Sequence, residues 1–593
     1  MRPPAAAVLA AALLGLAASI ALDRLAPAPN AETGRGSEEA FASGLLPRMV
    51  TQQGPLRWTS GVATFSFLHL PPGPLGLEVG IHGQRGPVTV LAPEGSVVGV
   101  IDGNASGGEY GLAQGAPSGR LDVALEFVPF TLDPEAGPRG ALLDRVRVTH
   151  APVSRIPWTL AVVFVLPALS LCLGALAAGL PPLAATCIAG AVTLAQTLLL
   201  WPEGLVRSGY SWTLAWSLAA CGVLGALLSR AAGRRFAGAG PWAFAALVVA
   251  VLIQGIAATS PLMLVSDAVF HAKRLGDAAA GKLFPISVTQ HAQPFRFPYG
   301  ISFYLSLVPF AWAGLDRVEL VRAGAAAASL LASAALFLLI AREGAAQAGL
   351  AVLLLQLLPA AFEPFSYGNL SNVFGQGMTV IFFAWWAGPA PGGWLVGALL
   401  LAFAALGHLS SLIVLAAVVA ALLVVRQGLP ADRARRLALV AGFGVAVLYY
   451  SCFAPLILEQ LPRLLEGGGQ RRASSRSGFD ALRLQLLWAW RGFGAPALLL
   501  AAIGLRRRRA LDRDLLAYAA ACALLAVAAV VSPLEVRYLY ALTLPVAVAA
   551  GRGAWVLWGA GWSGRCAAIA LALAQSWLAG RALFEAILVR YRA

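Results

Sequence analysis

Between Ser266 and Tyr304 the chain reads SDAVFHAKRLGDAAAGKLFPISVTQHAQPFRFPYGISFY, a concentration of residue types that move protons and hold anions. Asp267, His271 and Arg274 are spaced by four and three, so a helix would set them on one face. Lys273 stands beside them, and with Lys282 in the same loop it completes the lysines of the whole chain. The stretch follows an apolar run and is amphipathic, as a helix lying on a membrane surface would be. Ionisable groups near lipid are costly unless they are paired or line a wet cavity. Asp267 therefore has two readings: an acid in such a cavity, or part of a Ser266-Asp267 cap on an interfacial helix.

Membrane spans are the elements that must position these groups. The 593 residues are 59% hydrophobic and 12% charged, with a mean hydropathy of +0.75. Soluble domains carry roughly 25% charge. A chain this long and apolar cannot hide its side chains in globular cores, so lipid is its expected solvent. The pI near 10.2 would suit a nucleic-acid partner. However, the arginines sit in short loops between apolar runs, the pattern of the positive-inside rule, and no nucleic acid is expected. The cysteines, Cys172, Cys187, Cys221, Cys452, Cys522 and Cys566, show no zinc or disulfide spacing and read as small buried hydrophobes. No Walker A string, GxSxG elbow or HExxH occurs, which leaves ATP-driven export, serine hydrolysis and zincin chemistry without support.

Four regions follow along the chain. Residues 1–23 hold an apolar run behind Arg2, a signal-anchor or a cleavable signal peptide, with the anchor preferred. Residues 24–155 are rich in Gly and Pro, with period-two runs at Thr64 to Leu68, Leu75 to Ile81, Val88 to Val90, Leu121 to Phe127 and Val146 to Val148. Such runs between turn signals predict an extracytoplasmic β-sandwich, either a carbohydrate-binding module or a structural cap. Residues 156–240 supply additional membrane helices. Residues 241–593 form a multi-span membrane domain with an external loop at 260–298. Apolar runs near the roughly 20-residue crossing length continue from 157–180 to 566–586.

Basic clusters fix the expected sidedness. Arg230, Arg234 and Arg235, then Arg433, Arg435 and Arg436, then Arg506 to Arg509 should be cytoplasmic. This puts 260–297 and 362–372 outside, provided 299–314 is not a regular span. That stretch is preceded by Pro298 and interrupted by Pro309, which suits a re-entrant or broken helix. If instead 393–426 crossed once as a single kinked helix, 362–372 would lie inside.

Asp267, then His271, a basic residue, the string AGKLFP, and Phe297-Pro298-Tyr299-Gly300 opening the next apolar run resemble the first external loop of GT-C superfamily glycosyltransferases. The resemblance covers about 241–560 in architecture and only 267–304 in specific residues. It implies an all-α polytopic membrane protein with a GT-C-like helical module, here joined to the N-terminal β-sandwich. This chain departs from the family in carrying one acid, Asp267, where two often stand side by side, and in placing a β-domain and four spans before the module. Weaker echoes are Glu363 in FEPFSYGNLSN, His408 in GHLSS and Arg537 in SPLEVRYLY, with Glu535 as a neighbouring acid. Arg471, Arg472 and Arg476 form a basic loop on the side where the positive-inside rule does not expect one, either a cover over an anionic ligand or a disordered segment.

The implied reaction is transfer of a sugar from a polyprenyl-phosphate-type donor to a polysaccharide, lipid or protein acceptor on the non-cytoplasmic face. Asp267 would be the general base of an inverting displacement, its pKa raised by partial desolvation. Arg537, Arg274 and Lys273 would stabilise the leaving phosphate, and His271, Glu363 and His408 would complete the substrate-binding set. No cofactor is expected. Asp267 and Glu363 could offer two ligands to a divalent metal, but no DxD pair occurs in the external loops, and a metal-free site is favoured. The expected location is the inner cell membrane, multi-pass, with the soluble domain and active site on the periplasmic or extracellular side. The alternatives are a transporter or flippase for a lipid-linked or polar substrate, and a non-catalytic envelope-assembly protein.

Overall fold

The computed structural model describes residues 3–586 apart from 33–39, 46–48, 52–53, 71–72, 83, 85, 93–94, 113–118, 130–138, 151–157, 262, 264–266, 289–295, 367, 389–391, 431, 466–477, 507–511 and 529–539. The chain forms two compact units. The first holds residues 1–230, 259–264 and 586–593; the second holds 231–258 and 265–585.

The first unit carries the β-domain. Its strands are β1 (Asn30–Glu32), β2 (Ala42–Leu45), β3 (Met49–Thr51), β4 (Gly54–Phe67), β5 (Leu75–His82), β6 (Val88–Leu91), β7 (Val97–Ile101), β8 (Gly107–Leu112), β9 (Leu121–Phe127) and β10 (Leu142–His150). The expected period-two runs fall within these strands, except that Leu68 lies one residue past the end of β4. In β9, Leu121, Val123, Leu125 and Phe127 turn inward, while β4 contributes Ala63, Phe65 and Phe67 to the same core. Where two packed sheets were expected, these strands form one continuous antiparallel sheet, ordered β7-β6-β9-β4-β10-β5-β8. It curls until its two end strands meet, with Gly99 of β7 against the ring of Tyr110 of β8.

Helices Pro3–Leu25, Trp158–Ala177 and Pro182–Leu200 belong to the same unit, and Tyr210–Arg235 runs from it into the second. A buried ion pair joins Asp23 of the first helix to Arg207, 2.8 Å apart. His69 bridges Thr159 Oγ1 at 2.8 Å and Ser211 Oγ at 3.1 Å, tying the β-domain to two of the helices. Its backbone is held at φ +53°, an uncommon conformation for a residue with a side chain.

The second unit is helical. Its core is built from Phe382, Phe383, Trp385 and Trp386, packed with Leu401, Leu415, Leu422, Tyr518 and Val548. Across the described residues seven helices are long and apolar enough to cross a membrane, and nine spans result if two bent pairs each count as one. The bent pairs are Ala345–Gln356 with Pro359–Ser366, turned by 41°, and Leu486–Phe493 with Ala495–Gly504, turned by 85°. One side chain serves both breaks. Gln575 Nε2 donates to the carbonyl oxygens of Leu357 and Phe493, at 2.8 and 3.0 Å, and its Oε1 accepts from the Ala497 amide at 3.3 Å. A helix break frees carbonyl and amide groups that apolar surroundings cannot satisfy, and Gln575 supplies the missing partners.

Three further apolar helices are short: Ser302–Trp312, Gly393–Ala405 and Leu409–Val425. The 299–314 stretch thus yields an 11-residue helix containing Pro309. At 1.5 Å per residue it measures about 16 Å, half the roughly 30 Å thickness of a hydrocarbon core. The 393–426 stretch divides into helices of 13 and 17 residues.

Candidate functional site

Asp267 stands at the head of helix Ala268–Ala279, whose buried residues Ala268, His271, Ala272, Leu275 and Ala278 follow helical spacing. The capping role is not what the Asp267 side chain performs: it makes no capping hydrogen bond, and it is exposed. Gly368 sits directly against it. A methyl on Gly368 would lie 2.5 Å from the Asp267 amide nitrogen and 2.8 Å from its Cβ, and Gly368 itself has φ +79°. Only glycine adopts that conformation cheaply while letting the Asp267 backbone approach so closely.

His271 fastens the helix to two other segments. Its Nε2 lies 2.9 Å from the Gly368 carbonyl oxygen and its Nδ1 lies 2.8 Å from the Tyr304 hydroxyl. A carbonyl can only accept, so Nε2 carries the proton and Nδ1 accepts from Tyr304. Burial lowers the pKa of His271 to about 4, with the Gly368 hydrogen bond opposing the shift, so the ring is neutral near pH 7. In this arrangement it holds together the segments around it.

Tyr299 occupies the centre. Its hydroxyl pairs with Ser371 Oγ at 3.0 Å, and the ring of His408 meets it edge-on at 5.7 Å. His408 begins helix Leu409–Val425 and caps it, Nδ1 accepting from the Ser410 amide at 3.1 Å. Ser410 Oγ reaches Asn372 Oδ1 at 2.9 Å. The Ser302 amide donates to the Leu406 carbonyl at 3.1 Å. The segments 267–271, 299–304, 368–372 and 406–411 thereby meet at the starts of helices Ala268–Ala279, Ser302–Trp312, Leu370–Ala387 and Leu409–Val425.

Arg274 has partners of its own. Arg274 donates to the Ile286 carbonyl at 2.7 Å, contacts Asp277 at 3.6 Å and stacks over Phe270 at 5.2 Å. It braces the hairpin of β11 (Ile286–Val288) and β12 (Arg296–Pro298) that leads into Tyr299. Lys273 is exposed on the same helix. Glu363 is half-buried in helix Pro359–Ser366, just ahead of the Gly368 turn. Arg537, Glu535, Arg471, Arg472 and Arg476 lie outside the described residues.

Tyr299, Tyr304, Gly368, Ser371 and Asn372 were not singled out from the sequence as site residues. The signals were present in FPYG and YGNLSN, where tyrosine, glycine and asparagine interrupt apolar runs. No family model matches the chain, and no curated protein or solved structure is significantly similar to it.

Proposed function

We propose that the chain is a multi-pass membrane glycosyltransferase of GT-C type, working on the non-cytoplasmic face with a polyprenyl-phosphate-linked sugar as donor. The observation that carries this reading is Asp267. Its carboxylate is exposed and makes no capping bond, yet its backbone is fixed by Gly368 and by the helix that His271 anchors. A carboxylate held in position and open to solvent is suited to act as a base. Sidedness follows from the arginine-rich ends, which the positive-inside rule assigns to the cytoplasm.

In the proposed step Asp267 takes the proton of an acceptor hydroxyl as that oxygen attacks the anomeric carbon. The bond from that carbon to the phosphate oxygen breaks, and the lipid phosphate departs with the electron pair. An anionic phosphate is already a good leaving group, so neither a general acid nor a metal is needed. Lys273 and Arg537 are the cations proposed to meet the growing charge. Arg274 acts at one remove, by holding the β11–β12 hairpin. The lipid tail would lie along apolar helix surface beside the site, and the β-domain would receive or shield the acceptor.

The test is transfer of radiolabelled sugar from a panel of polyprenyl-phosphate hexoses and pentoses by the purified chain in lipid nanodiscs. Asp267→Asn should lower the rate by about 100-fold or more while leaving the melting temperature unchanged. Transfer by that variant at the wild-type rate would remove Asp267 as base. A wild-type chain inert towards every donor would favour an envelope-assembly role.

A further inference from the structure

Phe284 is braced by other aromatic rings and yet is 54% exposed. Its ring stacks on Tyr449, with centroids 5.7 Å apart and planes 21° from parallel, and Phe453 meets it edge-on at 5.9 Å. Tyr449 and Phe453 also pack on each other at 5.4 Å. The Tyr449 hydroxyl donates to the Tyr299 carbonyl oxygen at 2.8 Å and lies 3.3 Å from that of Leu283. The Tyr299 amide in turn donates to the Pro285 carbonyl at 3.0 Å. The ring is therefore held rigidly, and its supports end on Tyr299, the centre of the candidate site.

Phe284 lies over the protein side of the helix that supports it. Helix Arg433–Ser451 buries Ala438, Gly442 and Ala446 and exposes Val440, Val447 and Leu448. Tyr449 follows Ala446 by three residues and Gly442 by seven, so it continues the buried face and not the stripe that lipid would cover. Arg433, cytoplasmic by the positive-inside rule, is about 24 Å away along the helix, which puts the ring near the opposite surface. In the same loop Lys282 is exposed and holds Asp277 at 3.1 Å, so charged donors and an acceptor accompany the ring.

A rigid aromatic face with hydrogen-bonding groups nearby suits a ligand with one apolar side and a rim of hydroxyls. The negative face of an aromatic ring attracts C–H groups, and a pyranose presents several of them on one side. We infer that Phe284 is a stacking platform for a sugar ring, with Lys282 and Asp277 serving its hydroxyls. The choice of a sugar rests on the transferase reading above. Acceptor and donor both carry such a ring, and the test separates them.

Saturation-transfer NMR on the purified full chain in lipid nanodiscs, prepared without glycoside detergents, tests this. The probes are maltotriose, cellotriose, mannotriose and chitotriose. At least one should give a saturable signal, strongest at the C–H protons of one ring face. Phe284→Leu keeps apolar volume over Tyr449 but removes the aromatic face, and should weaken that binding on the order of tenfold. Phe284→Tyr should retain it, and Leu283→Ala, at an exposed apolar neighbour, should change little. Phe284→p-benzoylphenylalanine gives a second reading: illumination should attach the trisaccharide and not phospholipid. Displacement of the trisaccharide by a polyprenyl-phosphate hexose would assign the ring to the donor, and binding of both together to the acceptor; either upholds the platform.

Equal binding by wild type and Phe284→Leu would overturn the inference. So would a wild type that gives no signal beyond that of empty discs with any of the probes. Cross-linking of position 284 to phospholipid would overturn it in favour of a membrane anchor. Trisaccharide binding without sugar transfer from any donor would end the transferase reading and leave the platform standing. Sugar transfer with binding and acceptor KM unchanged in Phe284→Leu would do the reverse.

Discussion

His271 Nε2 donates to the carbonyl oxygen of Gly368 across 2.9 Å, joining the helix behind Asp267 to the turn that packs against Asp267. The bond requires a protonated Nε2, which in the neutral ring leaves Nδ1 to accept from the Tyr304 hydroxyl. One neutral tautomer satisfies both partners, whereas a charged ring would carry protons on both nitrogens and oblige the Tyr304 hydroxyl to turn and accept at Nδ1.

Stability should therefore depend on pH. His271 and His69 both have folded pKa values of about 4 against an ordinary value of 6.5. For His69 the causes are burial first and then Arg207. Between these values the unfolded chain binds more protons than the folded one, so stability is full above pH 6.5 and is lost as pH falls towards 4. The gap corresponds to roughly 3 kcal/mol per histidine. Melting temperature should drop across this window, and His271→Gln should flatten the slope. A wild-type profile level from pH 7 to 4 would contradict the buried neutral state of both rings.

Gly368→Ala should damage the site out of proportion to its size. The added methyl meets the Asp267 backbone, and φ +79° costs a residue with a side chain about 1–2 kcal/mol. The expected outcome is a modest fall in melting temperature with a loss of transfer of about tenfold or more, chiefly in kcat. Unchanged turnover would count against Asp267 as the base of the proposed transfer.

Gln575→Leu should destabilise the helical unit by about 3 kcal/mol, because it strands acceptors and a donor at two helix breaks in one substitution. Thermal melting in detergent measures the loss. Proteolysis should localise it, with new cleavage appearing near 357 and 494. A variant as stable and as protease-resistant as wild type would mean the breaks find other partners.

Asp23→Asn should leave the Arg207 guanidinium buried with a weaker partner and cost about 3 kcal/mol or more. Asp23→Leu combined with Arg207→Met should recover most of that, since replacing both members of a buried pair removes the uncompensated charge. A double variant no more stable than the single one would mean the ion pair has other work than mutual neutralisation.

Some of this was legible in the sequence. Strands such as Leu121–Phe127 declare themselves, because a two-residue period writes the buried face directly into alternating residue types. The spacing of Asp267, His271 and Arg274 predicted one helix. It could not tell which side of that helix is covered, and the three side chains end up exposed, buried and half-buried. His408 was legible as a helix start, while its place beside Tyr299 depends on a chain reversal more than a hundred residues away. The breaks at 357–358 and 494 were hidden because hydropathy registers composition, and a bend leaves composition unchanged. Gln575 looks in the sequence like one polar residue in an apolar run. Its meaning appears only once the carbonyls of Leu357 and Phe493 are brought beside it.

That side chain also sets an order of assembly. Gln575 lies on helix Gly561–Phe584, made after both of the segments it closes. During synthesis the kinks at 357 and 494 must wait, their peptide groups met by water, a neighbouring chain or an insertion factor, until this later helix arrives. The carbonyls of Leu357 and Phe493 can therefore reach their final hydrogen bonding only after translation has passed residue 575.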